Sequence, residues 1–502
     1  MTSTPTGKAS RPRSRLFPAA AALAASLAAS LGAPPAFGGE QADRALAAVR
    51  DLVAAGEIKR DARLKVDFKA GNINSLLGPE LELQGEWERR TGIMIAAHVI
   101  PQQPGMTTLK ADPDVDLTVV RNHESPDLLD QGLVEDLAPL MRQFGFSLPG
   151  EPPNGYIRPR LQAYVGERMA AVPADGDVAM VYLRRDLLED PQERAAFRKA
   201  YGRDLAIPRT WQEYDQLVAF FHRPDKGLYG TAEERDPAGG WMFWLPRYLC
   251  QSAPYRRLFD DAMRPLIDSP AGVAATESYV RTVRFSPPDV LGEGKDYSYL
   301  LPFFLQGRAF AFINTVAATK FFNAPGSAVK GKFVAVPMPG QSLGGKVLRH
   351  NLPIYGNNLV VSSRSPHPAL AFLFAMWLTD PDNSLRTVGA RGGFTDPYRW
   401  HHLEDRRIAE LYTPGVLSVL AGEWRVALPA GTGIPGDSEY LEALDRHLWL
   451  AARGEETAAE AMRRTAAEWE KITERRGRDR QIRALQAFNA GLALKEGGQA
   501  RR

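Results

Sequence analysis

The chain has 502 residues, more than a single hydrophobic core usually supports, so we expect two lobes or domains. Apolar residues make up 44% and charged residues 24%, which is ordinary for a soluble globular protein. The formal net charge is +3, and four basic residues, Lys8, Arg11, Arg13 and Arg15, precede the first acidic residue. The rest of the chain is therefore close to neutral, which gives no reason to expect nucleic acid or an anionic membrane as a partner.

The N-terminus has a basic region up to Arg15, an Ala/Leu-rich run over residues 16–31 and small residues at 33–36. This layout predicts a cleavable secretory signal peptide over residues 1–38 and a periplasmic location. An uncleaved membrane anchor is the competing interpretation, although the run is barely of spanning length. No cysteine lies directly after the run and no paired arginines precede it, so neither a lipid-anchored form nor a twin-arginine signal is expected.

The first part of the mature chain predicts a βαβ unit. A short helix over residues 42–55 is followed by a strand at 63–68, a helix at 80–90 that ends at Thr91-Gly92, and a strand at 93–100. Another short strand, at 116–120, precedes polar residues. In a doubly wound sheet, ligands bind at the carboxyl ends of the strands. The candidates there are Asn72, Asn74, Asn122, His123 and Glu124, each of which is also an ordinary turn residue.

Residues 165–188 form two apolar runs joined by a short acidic turn. The first run ends at Pro173, the turn carries Asp175 and Asp177, and the second run covers 178–183. This pattern fits a chain that leaves one lobe and enters another. It resembles the crossing segment of extracellular solute-binding proteins of the sugar-binding type (family 1), the periplasmic receptors of ABC importers. The matching residues are Pro173, Tyr182, Arg185, Asp186 and Leu187.

Further segments are similar to the same family. The segment Pro208-Arg209-Thr210-Trp211 with Glu213 predicts a helix start with a capping box, in which Trp211 packs rather than binds ligand. Residues 299–315 read as a helix, a Gly-Arg-Ala turn and a strand, and residues 355–379 as a strand leading into a helix. The resemblance covers about residues 60–475.

The resemblance implies an α/β fold like that of the periplasmic binding proteins, with two doubly wound lobes, a hinge and an interlobe cleft. It places lobe I at 58–173 plus 357–400, lobe II at 174–356 plus 401–475, and a C-terminal helix and tail at 476–502. Crossings are expected near 173–177 and 356–358. The implied function is delivery of a sugar, oligosaccharide or polyol to ABC permease subunits. We expect a monomer with no cofactor, resident metal or nucleic-acid partner.

The resemblance also implies ligand-binding residues outside the first lobe. Trp241 and Trp244 are candidate stacking platforms for sugar rings, of which at most one contacts ligand, and the alternative is that both belong to a helical core. The remaining candidates are polar or aromatic residues in loops near the expected cleft: Asp175, Asp177, Asn314, Thr315, Asn357, Asn358, Arg391 and Tyr440.

Several motifs are set aside. Cys250 is the only cysteine, and its apolar surroundings predict a buried, inert thiol. The Gly-rich run 431–436 matches a dinucleotide motif only formally, because no opening βαβ unit surrounds it. Residues 112–123 start like a calcium loop but lack its glycine and final glutamate. Adjacent His401 and His402 diverge, and no zinc spacing or nucleophile elbow occurs.

Two other functions remain open from the sequence. One is a secreted carbohydrate-active enzyme that uses Asp175 or Glu124, because paired carboxylates serve glycoside hydrolysis. The other is a periplasmic accessory protein that keeps the fold without a transport role and serves, for example, a metal or redox-enzyme system. Loss of turnover on exchange of such a carboxylate would distinguish the enzyme, and binding of sugars without turnover would favour the receptor.

Overall fold

The fold is taken from a computed structural model, in which residues 39–101 and 103–493 are described. The predicted signal peptide and the last nine residues of the tail lie outside this range. The strands are β1 (Arg63–Lys69), β2 (Met94–Ile100), β3 (Leu117–Arg121), β4 (Tyr164–Val165), β5 (Arg168–Met169), β6 (Val172–Pro173), β7 (Ala179–Arg184), β8 (Tyr229–Glu233), β9 (Ala309–Thr315), β10 (Phe333–Val336), β11 (Gln341–Leu343), β12 (Lys346–Leu348) and β13 (Asn357–Val361).

After the 15-residue α1, the first part of the chain carries short helices, and the longest helices lie near the C-terminus. The α-helices are α1 (Glu40–Ala54), α2 (Ala70–Leu76), α3 (Glu82–Thr91), α4 (Gly105–Ala111), α5 (Ser125–Asp130), α6 (Ala138–Gln143), α7 (Pro159–Ala163), α8 (Arg185–Glu189), α9 (Pro191–Tyr201), α10 (Trp211–Phe221), α11 (Trp241–Leu249), α12 (Pro270–Arg281), α13 (Tyr297–Leu305), α14 (Ala318–Phe322), α15 (Pro368–Leu378), α16 (Pro381–Val388), α17 (Arg406–Tyr412), α18 (Pro414–Arg425), α19 (Asp437–Ala452), α20 (Ala458–Arg476) and α21 (Arg478–Ala493). Short 3₁₀ turns lie at Asn122–Glu124, Pro224–Lys226, Val283–Phe285 and Trp400–Leu403.

Two sheets organise these elements. The first sheet has five strands in the order β2-β1-β3-β13-β6, with β1 parallel to β2 and β3 and with β13 antiparallel to β3 and β6. The second sheet has four strands in the order β10-β7-β9-β8, in which β8 and β9 are parallel. The chain crosses between the two sheets three times, and we number these passages in chain order. The first passage lies between β6 and β7, the second lies before β13 and returns to the first sheet, and the third follows α16. The expected α/β class is confirmed.

The second sheet is covered on both faces, which explains its continuous apolar strands. In β7, Val181 and Leu183 enter one core, which α10, α11, α12, α19 and α20 complete. Met180 and Tyr182 point into the opposite core, with α13, α14, α17 and α18. Because side chains alternate along a strand, the run therefore supplies both cores. A separate core lies on the first sheet, where α1 and α15 pack over β1.

Local predictions are confirmed at several elements. Thr210 caps α10, since its hydroxyl accepts a hydrogen bond from the Glu213 N–H while Glu213 accepts one from the Thr210 N–H. Gly92 ends α3 at a φ of 77°, where a side chain would be strained. Trp211 is buried, and Cys250 is buried with the pKa of its thiol raised to about 12 by that burial. None of the described helices is long and apolar enough to cross a bilayer.

Candidate functional site

The edges of the two sheets meet where the chain passes between them. On the first sheet, β1 ends at Lys69 and β3 ends at Arg121, and both residues lie beside Asn357 at the start of β13. On the second sheet, β9 ends at Thr315 and β8 at Glu233, beside the start of β7. Loops at such edges are where open α/β sheets bind ligands. This boundary is therefore the candidate site.

Asp175 ties the three passages together. One of its carboxylate oxygens accepts from the Asn357 backbone N–H at 3.0 Å and from the Asn357 amide at 3.3 Å. The other accepts from the Asp396 backbone N–H at 2.9 Å. One side chain on the first passage thus holds the backbones of the second and the third, so Asp175 fixes the geometry of the junction.

Gly176 allows the first and third passages to approach each other. A Cβ built at this residue would lie 1.8 Å from the Pro397 carbonyl oxygen, which no side chain could tolerate. Its own carbonyl accepts from the Trp424 indole N–H at 3.1 Å. The short acidic turn seen in the sequence needs its glycine because of this close backbone contact.

Two further aspartates lie close to Asp175. One carboxylate oxygen from each of Asp175, Asp177 and Asp396 lies within 4.8 Å of the other two, and all three residues are buried; we call them the aspartate cluster. Burial and the charge of Asp396 raise the pKa of Asp175 to about 8, and burial with the neighbouring carboxylates raises the pKa of Asp177 well above its usual value. Lys320 is the nearest ammonium, and burial lowers its pKa.

A chain of side-chain contacts connects the end of β3 with the end of β8 across the boundary. The Arg121 guanidinium lies over the Tyr355 ring at 4.7 Å, and the Tyr355 hydroxyl donates to Glu234 at 2.6 Å. Burial raises the pKa of Glu234 to about 7. Tyr355 adopts a φ of 60°, a left-handed conformation that is strained for a side chain of its size and that is held here by both contacts.

His123 and Trp241 form the aromatic part of this boundary. Their ring centroids lie 5.1 Å apart in an edge-to-face arrangement. Burial, with Arg121 and Lys69 nearby, lowers the pKa of His123 to about 3, so its imidazole is neutral at physiological pH. The Trp241 backbone N–H donates to Asp445 at 2.6 Å, which anchors the start of α11. Trp241 thus lies between the first sheet's loop and the second sheet's helices.

Other sequence candidates lie beside this boundary. Asn122 accepts from the Asn358 amide, which also donates to the Gln162 carbonyl at 3.0 Å, and the amide nitrogen of Asn122 is buried without a partner. Glu124 is buried and accepts from the backbone N–H groups of Arg121 and Met106. Three more candidates are buried at the same strand ends: Asn72, Asn314 and Thr315.

The remaining candidates are placed elsewhere. Asn74 and Arg391 are exposed. Trp244 is inside the helical core, stacked on Tyr248 with its indole N–H donating to Thr276 at 2.8 Å. Tyr440 packs against Trp469 and Phe259, and its hydroxyl pairs with Thr473 at 2.8 Å.

Several residues of the boundary escaped the sequence analysis. Lys69 and Arg121 could have been found, because each directly follows a predicted strand, at 63–68 and at 116–120, on the ligand-binding edge. Burial lowers the pKa of Lys69 to about 8, and its ammonium donates to the Asn357 amide oxygen at 3.3 Å. Asp396, Lys320 and Glu234 carried no comparable signal, because only the folded chain brings them to the passages.

Comparison with known proteins gives a consistent result. The family model described as "Bacterial extracellular solute-binding protein" matches residues 81–384, more than half of the chain. A search of curated proteins found no match. Maltose-bound MalE3 of T. maritima has a similar structure, with a TM-score of 0.66, 20% identity, and coverage of 82% of this chain and 100% of that one.

Two further solved structures are similar at the level of the fold. A ribitol complex of an ABC transporter solute-binding protein from Agrobacterium radiobacter K84 has a TM-score of 0.65 and 18% identity, and the match covers 82% of this chain and 98% of that one. A D-mannitol complex from Agrobacterium vitis S4 has a TM-score of 0.63 and 17% identity, with coverage of 83% and 99%. The fold is that of the periplasmic binding proteins.

Proposed function

We propose a function from one premise: the chain belongs to the bacterial extracellular solute-binding protein family. It binds a sugar, oligosaccharide or polyol in a cleft between its two sheets and delivers that solute to the membrane permease of an ABC importer. The neighbours in complex with maltose, ribitol and D-mannitol support this class of ligand. The observation that carries the proposal is the boundary itself, where aromatic and polar side chains from both sheets meet around Trp241 and Tyr355.

The two sheets and their cores define the lobes of this proposal. Lobe I is 58–173 plus 357–400 and lobe II is 174–356 plus 401–475, joined by the three passages that Asp175 holds together. The contacts from Arg121 to Tyr355 and from His123 to Trp241 correspond to a closed arrangement. A solute that contacts both lobes stabilises this arrangement by its higher affinity for it, and hinge bending at the passages releases the solute.

Polar atoms suited to sugar hydroxyls are available at the boundary. Glu234 Oε2, Asn122 Nδ2 and Asn314 Nδ2 are buried and have no hydrogen-bond partner. Hydroxyl groups both donate and accept, so one sugar or polyol can satisfy an acid and two amides. The Trp241 ring adds an apolar face for the C–H side of a sugar.

The contacts of the candidate catalytic carboxylates favour binding over turnover. Both oxygens of Asp175 and both oxygens of Glu124 accept hydrogen bonds from backbone N–H groups. A general acid or nucleophile must reach the substrate, and these oxygens instead hold loops together. We therefore propose a receptor rather than an enzyme. Export to the periplasm by the N-terminal signal peptide and action as a monomer are parts of the same proposal, taken from the sequence.

Calorimetric titration of the mature protein with maltose, ribitol and D-mannitol tests the proposal. We expect saturable binding of at least one solute and a rise in melting temperature, because a ligand of the folded state stabilises it. Trp241→Leu should weaken that binding at least tenfold. Trp244→Leu is the matched control: it should lower stability through lost packing and leave the affinity of the folded protein unchanged.

The proposal also makes a shape prediction. Small-angle scattering should show a larger radius of gyration without solute than with saturating solute. No binding across sugars, oligosaccharides and polyols, together with an unchanged scattering profile, would contradict the assignment. Release of a cleaved product during titration would instead support the enzyme.

A further inference from the structure

The aspartate cluster is drawn from two passages of the chain. Asp175 and Asp177 lie on the first passage, and Asp396 lies on the third, so the group assembles only when these segments meet. One oxygen of each lies within 4.8 Å of the others. Calcium binds oxygen ligands at about 2.3–2.6 Å, so two ligands of one ion lie at most about 5 Å apart. The spacing of the three oxygens fits a single such ion.

The charges at the cluster do not balance. Lys320 is the ammonium that faces all three carboxylates, and it already donates to the carbonyl oxygens of Gly393 and Thr395 at 2.9 and 2.8 Å. Lys69 donates to the Asn357 side chain and acts on Asp175 only through its charge. If all three carboxylates are ionised, their charge exceeds that of Lys320 by two and that of both lysines by one, so a buried excess of negative charge is left for a cation.

Two oxygens of the cluster accept from no donor outside it. Asp177 Oδ1 and Asp396 Oδ2 have no such donor although their residues are 4% and 0% exposed, and the Asp177 and Asp396 carboxyl groups hydrogen-bond to each other when one of them carries a proton, whose place an ion would take. The neighbouring hydroxyl of Thr395 is also unpaired and 1% exposed. Buried acceptors normally have partners, and carboxylate and hydroxyl oxygens are the ligands that hard cations prefer. These atoms are the second observation that points to an ion.

We propose that Asp175, Asp177 and Asp396 bind one divalent, oxygen-preferring cation. We take Ca²⁺ as the probe, because it accepts the irregular geometry of carboxylate ligands more readily than Mg²⁺ does. The ion joins the first passage to the third, so it stabilises the closed junction. It is separate from the solute, which contacts Trp241 and Glu234, and the inference stands whichever solute the cleft takes.

Protons and cations compete for carboxylate oxygens. Burial raises the pKa of Asp175 to about 8 and the pKa of Asp177 above its usual value, which favours the protons in this competition. The affinity for the ion should therefore fall as the pH falls. The charged and titratable groups that face the cluster from neighbouring elements are Lys69, Tyr182, Tyr297, Lys320 and Tyr412.

Calorimetric titration of the EDTA-treated mature protein with CaCl₂ tests the proposal. We expect one ion per chain, weaker binding of Mg²⁺, and proton release that shows as a heat dependent on the buffer's ionisation enthalpy. Asp177→Asn and Asp396→Asn should each weaken Ca²⁺ at least tenfold. Both replacements remove a buried negative charge, so they should fold even if the ion does not bind.

Asp114→Asn is the matched control, because Asp114 is exposed and belongs to an acidic run that only resembles a calcium loop. It should leave Ca²⁺ binding unchanged. The proposal is overturned if the wild-type protein shows no stoichiometric binding, or if Asp396→Asn and Asp177→Asn bind as tightly as wild type. Solute titrations with and without Ca²⁺ keep this result distinct from failure of the receptor assignment.

Discussion

Two buried charged clusters lie beside the second sheet and differ in their balance. In the arginine–glutamate cluster, Glu233 accepts from Arg235 at 2.9 Å and from Arg247 at 2.8 Å, and all three side chains are fully buried. Burial alone would raise the pKa of Glu233, but the two arginines lower it to about 2. In the aspartate cluster, three acids share one lysine, and the pKa values of Asp175 and Asp177 rise instead.

The arginine–glutamate cluster contains charges that have opposite partners within the fold. The aspartate cluster contains carboxylates without enough cationic partners, so they remain able to bind a cation or a proton. The arginines also lie over aromatic rings, Arg235 over Tyr279 at 4.0 Å and Arg247 over Trp211 at 3.9 Å, so the arginine–glutamate cluster is built into the core of the second lobe. The aspartate cluster sits where three passages meet and where hinge bending would separate its members. Perturbed carboxylates at such a place are typical of functional groups.

The arginine–glutamate cluster should be the more sensitive of the two to the loss of its acid. Glu233→Gln removes the carboxylate that pairs directly with two buried guanidinium groups, and we expect a loss of about 3–5 kcal/mol in the free energy of unfolding. Urea denaturation at pH 7 measures it. As a control, Glu193→Gln breaks a partly exposed pair with Arg223 and should cost at most about 1 kcal/mol. Equal small losses would show that burial does not govern these pairs.

The pH dependence of stability should follow the aspartate cluster in calcium-free buffer. Because its folded pKa values lie above those of the unfolded chain, the folded state binds more protons. The free energy of unfolding should then fall from pH 7 to pH 8, by about 1.4 kcal/mol per pH unit for each extra proton that the folded state holds. Below about pH 6.5 the buried His123 and His402, whose pKa values burial lowers, act in the opposite direction. Glu233 does not change the pH dependence in either range, because its carboxylate is ionised in both the folded and the unfolded chain above about pH 5. Urea titrations at several pH values measure the slope.

A steady or rising stability over the same range would contradict that expectation. Glu234 and Asp437, whose pKa values burial raises to about 7 and about 8, act in the same direction. The difference between wild type and Asp177→Asn isolates the cluster, because only its share of the slope is lost. Saturating Ca²⁺ should flatten the wild-type curve as well if the ion replaces the protons.

Replacing a single acid should change the free energy of unfolding in opposite directions in the two clusters. Asp177→Asn keeps the side-chain shape and removes one of three neighbouring negative charges, so at pH 8 with EDTA we expect no loss and a gain of roughly 1 kcal/mol. Urea denaturation beside Glu233→Gln gives the comparison directly. A loss above about 2 kcal/mol in Asp177→Asn would mean that this carboxylate already has a cationic partner in the folded protein.

Much of the fold follows from local patterns. The run over 178–183 is apolar without interruption because both faces of β7 are buried, and Thr210 with Glu213 is sufficient to place the start of α10. The turn at Asp175 and Asp177 was visible as a passage between lobes. These features depend on neighbours a few residues away, so the sequence alone expresses them.

The rest of the site depends on contacts between distant segments. Asp396 joins Asp175 across 221 positions, and the Glu234–Tyr355 contact spans 121. Nothing in the loops around Asp396 or Lys320 indicates that they meet the first passage. An aromatic residue at a helix start is equally suited to a core or to a ligand, so Tyr440 and Trp244 could not be distinguished from Trp241 before packing was known.

The rim of the arginine–glutamate cluster should show the smallest effect and thereby separate burial from charge count. Burial raises the pKa of Asp215 to about 6 against the arginines Arg247 and Arg281, and Arg281 pairs with it at 2.8 Å while 45% exposed. Arg281→Gln should cost less than about 1 kcal/mol by urea denaturation, because solvent screens an exposed guanidinium. It should also raise the pKa of Asp215 in an NMR titration. A loss comparable to that of Glu233→Gln would mean that the number of charges, rather than their exclusion from water, determines the stability of this cluster.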